Sequence, residues 1–130
     1  MVVIKKKADS LMRVSRASLR VGIDARFFAE AGIGRYIRNL ITNLQDLDQD
    51  NEYYIFLLDK NYDKISLTGN FKKVRADYKW YGVTEQTKFL KLLNSYKLDL
   101  VHFPHFNIPV LYKGRFVVTI HDLIHQNFKM

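Results

Sequence analysis

The chain alternates between short, nearly continuous apolar runs and longer stretches in which apolar residues return every three or four positions. The runs are "LRVGID" at residues 19–24, "YYIFLL" at 53–58, "KKVRA" at 72–76, "DLVHF" at 99–103 and "RFVVTI" at 115–120. Such runs predict strands covered on both faces, as in a parallel sheet. Two stretches predict helices. Residues 34–47 place Tyr36, Ile37, Leu40, Ile41, Leu44 and Leu47 on one stripe and end in the polar turn "QDLDQDNE". Residues 84–97 bring Phe89, Leu90, Leu92, Leu93 and Tyr96 to one side, with Thr84 as the expected N-cap and Glu85 in the first turn, where the helix dipole favours it. Residues 59–70 form a polar connection without a clear period.

Strands that alternate with helices predict an α/β fold, Rossmann-like, with a mostly parallel sheet and flanking helices. Ligands of such sheets bind beyond the carboxyl ends of the strands, at the point where the strand order reverses. Three segments follow strand ends: residues 25–33, 104–113 and those from His121 onward. They are expected on one edge of the sheet.

Composition narrows the picture. At 130 residues with 48% hydrophobic and 14% aromatic content, the chain has the makeup of one globular domain. It has no cysteine, which is compatible with a reducing compartment and gives no thiolate metal site. No apolar run approaches the roughly 20 residues that span a bilayer. The expected location is the cytoplasm, with contact at a membrane surface as an added option. The net charge of +8 is uneven. Residues 1–20 carry Lys5, Lys6, Lys7, Arg13, Arg16 and Arg20 against Asp9 alone. A nucleic-acid partner is therefore not inferred from overall basicity. The boundaries read as a basic leader over residues 1–18, expected to be disordered and without the apolar core of a secretory signal, and an incomplete Rossmann-like domain over 19–130.

Candidate chemistry gathers at the predicted edge. In "ARFFAEAGIGRYIRNL", Gly32 and Gly34 stand at the mouth of a helix, followed by Arg35 and Tyr36. A glycine-rich entry to a helix presents free N–H groups and a positive dipole end to an anion. Arg26 and Arg35 add bidentate donors for phosphate. A tight turn is the structural alternative. The pattern departs from a dinucleotide fingerprint, because Ile37 stands where the third glycine belongs and the glycines lie too far from Asp24. No G-x-x-x-x-G-K-[ST] is present.

In "VHFPHFNIPVLY", His105 and Asn107 lie beyond the strand and are the expected ligand-facing pair, whereas His102 lies within it and reads as structural. In "TIHDLIH", His121 follows the fifth strand at once, where an imidazole can exchange protons with a substrate hydroxyl or phosphate. The adjacent Asp122 reads as a further ligand contact or as a cap. With His125, four histidines fall late in the chain, but their spacing does not make a zinc site. The aromatic stretch "YKWYGV" at 78–83 reads as sheet packing, with a sugar or lipid surface as the alternative. No G-x-S-x-G nucleophile elbow occurs.

Taken in order, "VGIDARFFAEAGIGRYIRNLITNL", "WYGVTEQ", "DLVHFPHFNIPV" and "FVVTIHDLIH" resemble landmarks of the N-terminal domain of family-four glycosyltransferases. These are retaining enzymes of the GT-B fold, and the nearest subgroup is similar to mannosyltransferase-like enzymes of polysaccharide assembly. The resemblance spans nearly all of residues 19–128. It implies two Rossmann-like domains across a cleft, the first holding the acceptor and the second most of the nucleotide-sugar. It implies that Gly32 and Gly34 approach the donor diphosphate and acceptor, and that His121 is the active-site histidine near the transferred sugar. No metal or other cofactor is implied; the nucleotide-sugar is a substrate, and the acceptor a glycan or lipid-linked saccharide.

Members of that family are much longer than this chain. Glu30, Glu52 and Glu85 are its only glutamates, so the Glu-x7-Glu donor motif is absent. The resemblance therefore implies a truncated or split enzyme, which a separately encoded donor domain would have to complete, and no transfer by this chain alone. A non-catalytic glycan- or partner-binding module is the alternative, and a nucleotide-binding oxidoreductase a weaker one. An apolar strand at 115–120 without a neighbour is expected to expose an edge and to promote self-association.

Overall fold

The structure, a computed structural model, describes residues 2–5, 18–80 and 82–120. Its elements in chain order are β1 (Val2–Lys5), β2 (Arg20–Asp24), α1 (Ala31–Leu47), β3 (Glu52–Leu57), β4 (Phe71–Arg75), α2 (Leu90–Ser95), β5 (Leu100–Phe103) and β6 (Phe116–Thr119). A 3₁₀ turn over Asp59–Lys64 follows β3, within the connection that showed no period, and a π-type turn over Glu85–Phe89 leads into α2.

One six-stranded sheet runs β1-β6-β5-β2-β3-β4. The five strands β2 to β6 are mutually parallel. Numbered along the chain, these five lie in the order 3-2-1-4-5, which makes the fold Rossmann-like α/β. The chain winds outward from β2 to β4, then crosses back to β5 and β6. The order thus reverses between β2 and β5, and their carboxyl ends flank the crevice that such a reversal leaves.

The side chains divide the core by strand periodicity. On one face, Val21, Ile23, Tyr53 and Ile55 pack against Ile37 and Ile41 of α1. On the other, Tyr54, Phe56, Val101 and Phe103 pack against Phe89 and Leu93. Helix α1 starts three residues earlier than its stripe predicts, and the stripe closes at Leu44. Leu47 is 80% exposed, because the helix has by then run past the sheet.

Within the basic leader, Val2–Lys5 pairs antiparallel with β6, Val3 opposite Val118. The edge of β6 expected to stand open therefore has a neighbour. Thr84, expected to cap α2, has helical backbone angles and makes no side-chain cap bond. Glu85 is not a dipole partner at the surface; it is fully buried.

At the opposite, amino-terminal end of the sheet, Asp48 closes α1 and organises the turn into β3. Its carboxylate accepts from the Asn51 amide and the Tyr53 hydroxyl, and Asn70 donates to the Asp48 carbonyl. The Tyr53 hydroxyl first, and then Asn51, hold the Asp48 carboxyl at about 2, below the usual carboxylate range.

Candidate functional site

Helix α1 opens at the carboxyl end of β2, beside the order reversal. Gly34 is required by close packing: a Cβ there would come upon the backbone carbonyl oxygen of Phe28. That carbonyl also accepts from Arg38 Nη1 at 2.9 Å. Gly34 thus lets the helix lie directly on the loop beneath it, which is the structural reading of that glycine. Gly32 differs. It is exposed, and nothing lies within 4 Å of the place where its Cβ would be. Packing does not demand a glycine there, and the backbone is open to approach.

The N-cap residue Glu30 makes no side-chain cap bond, and the first turn holds no acidic residue. The first hydrogen bond of the helix runs from Gly34 N–H to the Glu30 carbonyl at 2.8 Å. Among the described residues no acidic side chain caps the positive end of this 17-residue helix or stands in its first turn. Arg35 is exposed and has no hydrogen-bond or ion-pair partner among the described residues. Tyr36 points back over the sheet, its hydroxyl 3.0 Å from Thr119 Oγ1. Thr119 is in turn 2.9 Å from His102 Nε2. His102 is thus hydrogen-bonded at the end of β5, in line with its structural reading.

Arg26 occupies a different environment from the one expected of a phosphate ligand. It is 1% exposed. Its Nε and Nη2 each donate to Asp24 at 2.9 Å, Nη1 donates to the Tyr78 carbonyl at 2.9 Å, and Nη2 also reaches Glu85 Oε2 at 2.5 Å. The guanidinium lies 3.9 Å above the Phe89 ring. Burial disfavours its charge, but Asp24 and then Glu85 outweigh burial and hold its pKa above the ordinary value. Asn107 belongs to the same network: it is buried and its amide donates to Glu85 Oε2 at 2.6 Å. Arg26 and Asn107 therefore brace three loops from within, through four donations from the guanidinium and one from the amide.

His105 lies in a row of rings across the carboxyl edge. Trp80 stacks on Phe27 at 4.2 Å, Phe27 lies 5.0 Å from His105, and His105 stacks on Phe106 at 4.3 Å. Beside Trp80 a cleft of about 720 Å³ is lined by Glu30, Leu58, Asp59, Lys60, Asp77 and Lys79. Its mixture of carboxylates, ammonium groups and one indole suits a polyhydroxylated ligand, and its size falls in the usual range for small molecules. Part of its charge is already paired: Arg75 donates to Asp59 at 3.3 Å, and Asp77 accepts from the Asp59 N–H.

His121 and Asp122, and with them His125, lie outside the described residues. The site residues brought together are thus Gly32, Gly34, Arg35 and Tyr36 at the helix mouth, with His105 on the neighbouring loop. The sequence signal for Asp24 and Glu85 was slight. Asp24 stands at a strand end without any motif around it, and Glu85 in a first helical turn reads as a dipole partner. Among the described residues no group of three His, Asp or Glu side chains is placed to hold a metal ion. No helix among them is long and apolar enough to cross a membrane. No known protein family, no curated protein and no solved structure matches the chain.

Proposed function

We propose that this domain is the acceptor-side portion of a retaining, mannosyltransferase-like glycosyltransferase. It would take part in moving a sugar from a nucleotide-sugar to a saccharide or lipid-linked acceptor. The observation that carries the reading is the uncapped start of α1, with Gly32 facing open space at the order reversal of the sheet. Free N–H groups and a positive dipole end there stabilise the charge that develops on a departing diphosphate. Arg35 adds an exposed cation at the same mouth, and the cleft beside Trp80 offers room for a sugar ring. In this reading His121 positions the sugar or the acceptor, and the groups that hold most of the donor come from a second domain outside these 130 residues.

The test is calorimetric titration with UDP- and GDP-sugars. Binding is expected, weakened roughly tenfold by Arg35→Ala, since a charge-assisted contact to phosphate is lost. Absence of nucleotide-sugar binding, together with glycan binding that survives His121→Ala, would favour a non-catalytic binding module.

A further inference from the structure

The cleft beside Trp80 lies to one side of the helix mouth. Residues that follow β3 and β4 form its walls, and Glu30 joins them from the start of α1. Neighbouring strands stand about 4.8 Å apart. In the order β6-β5-β2-β3-β4, the ends of β3 and β4 are therefore roughly 14–19 Å from the end of β6. A single sugar ring does not bridge that distance.

The walls of the cleft are tied in advance. The Asp59 N–H donates to Asp77 Oδ1 at 3.0 Å, which joins one wall to the other. Arg75 donates to Asp59 at 3.3 Å while its guanidinium lies 3.9 Å over the Tyr62 ring. Phe27, 5% exposed, stacks on Trp80 at 4.2 Å and holds the indole in place. A site ordered before its ligand arrives loses less freedom on binding.

The charges fit a neutral ligand. Glu30, Asp59 and Asp77 are set against Lys60, Lys79 and Arg75. Glu30, Lys60 and Lys79 are exposed and have no hydrogen-bond or ion-pair partner among the described residues. A phosphate or carboxylate in the cleft would meet three carboxylates. A sugar hydroxyl donates to a carboxylate and accepts from an ammonium group, so a pyranose uses both kinds. Its C–H face packs on an indole, which is apolar over its body and polar at its tip. A row of rings leads from the cleft toward the connection between β5 and β6: Trp80, Phe27, His105 and Phe106, the last 55% exposed.

We infer that this cleft holds an inner sugar of an oligosaccharide acceptor, several residues back from the one that reacts near the ends of β5 and β6. The substrate is then a neutral glycan chain and not a single sugar. The inference rests on the glycosyltransferase reading for the place of the reacting end, and on the cleft itself for the rest.

Trp80 is the only tryptophan in the chain, so its fluorescence reports on this cleft. The test is fluorescence titration of the full chain with mono-, di- and tetrasaccharides of α-linked mannose, α-linked glucose and β-linked N-acetylglucosamine. In at least one series the tetrasaccharide is expected to shift the emission and to bind at least about tenfold tighter than the monosaccharide, because linked sugars engage neighbouring contacts together. Lys60→Ala/Lys79→Ala should weaken the tetrasaccharide roughly tenfold, since hydrogen bonds to its hydroxyls are lost. The melting temperature of that variant should stay unchanged, since both lysines are exposed. Three results would overturn the inference: no change of emission with any tetrasaccharide at millimolar concentration; equal affinity for mono- and tetrasaccharide, which would make the cleft a single-sugar site; and tetrasaccharide binding that the lysine variant leaves intact, which would put the chain elsewhere. Titration with UDP- and GDP-sugars separates these failures from failure of the reading beneath them. Nucleotide-sugar binding without chain-length dependence removes the inference alone. Chain-length-dependent glycan binding without nucleotide-sugar binding supports the glycan-chain site and overturns the transferase reading.

Discussion

Replacing Arg26 by methionine keeps most of the side-chain volume and removes the guanidinium. Four donations disappear: two to Asp24, one to the Tyr78 carbonyl and one to Glu85. Two carboxylates then remain in the interior, since Asp24 is 1% exposed and Glu85 fully buried. Breaking a buried ion pair from one side costs roughly 3–5 kcal/mol, because the remaining charge loses its partner and cannot regain water. That is a large share of the roughly 5–15 kcal/mol that holds a domain together. For a domain of this size it corresponds to a fall in Tm of about 10–20 °C. Glu85→Gln makes a graded comparison. One amide oxygen can still accept from Arg26 and from Asn107, so about 1–2 kcal/mol is expected. Urea denaturation followed by circular dichroism reads both variants. A loss below about 1 kcal/mol for Arg26→Met would refute the bracing role. If ligand binding fell instead while stability held, Arg26 would act on the ligand rather than on the loops.

The two glycines of the helix mouth should separate cleanly. Gly34→Ala is expected to cost about 1–3 kcal/mol in the same denaturation assay, since its Cβ would meet the Phe28 carbonyl and backbone must move. Gly32→Ala, facing open space, should be neutral or gain up to about 0.5–1 kcal/mol. Asp48 predicts a pH effect. Its carboxyl is held at about 2, below its unfolded value, so its stabilisation is complete above about pH 4 and is lost as pH falls through about 2. Because the side chain is partly exposed, the contribution is discounted to about 1 kcal/mol. Denaturation at pH 5 and pH 2 should show that extra loss in the native chain and not in Asp48→Asn; equal losses would refute it.

The strands and helix α1 were legible because a parallel sheet buries both faces of each strand and writes long apolar runs. "YYIFLL" and β3 differ by one residue at each end. The sheet order was less accessible, since right-handed crossovers allow β5 to lie on either side of what precedes it. The start of α2 misled because Thr-Glu reads as a cap and a dipole partner. In the fold, Glu85 turns inward to a guanidinium 59 positions away in the chain. Local spacing carries no trace of such a partner. The same reason explains Arg26 and Asn107, whose polar type suggested a ligand and whose side chains donate instead to Asp24, the Tyr78 carbonyl and Glu85. Gly34 and Gly32 look alike in sequence, and only the distance to Phe28 tells them apart. The pairing of Val2–Lys5 with β6 was masked by the basic residues that follow those four.

The central claim is that the uncapped mouth of α1 receives a diphosphate. Its most direct test is a residue-resolved NMR titration of the isotopically labelled protein with a nucleoside-diphosphate sugar, and with the free sugar as a control. The account predicts amide shifts centred on Gly32, Ile33 and Arg35, seen with the diphosphate compound, absent with the free sugar and reduced in Arg35→Ala. Shifts confined to other parts of the chain, or none at saturating ligand, would contradict it.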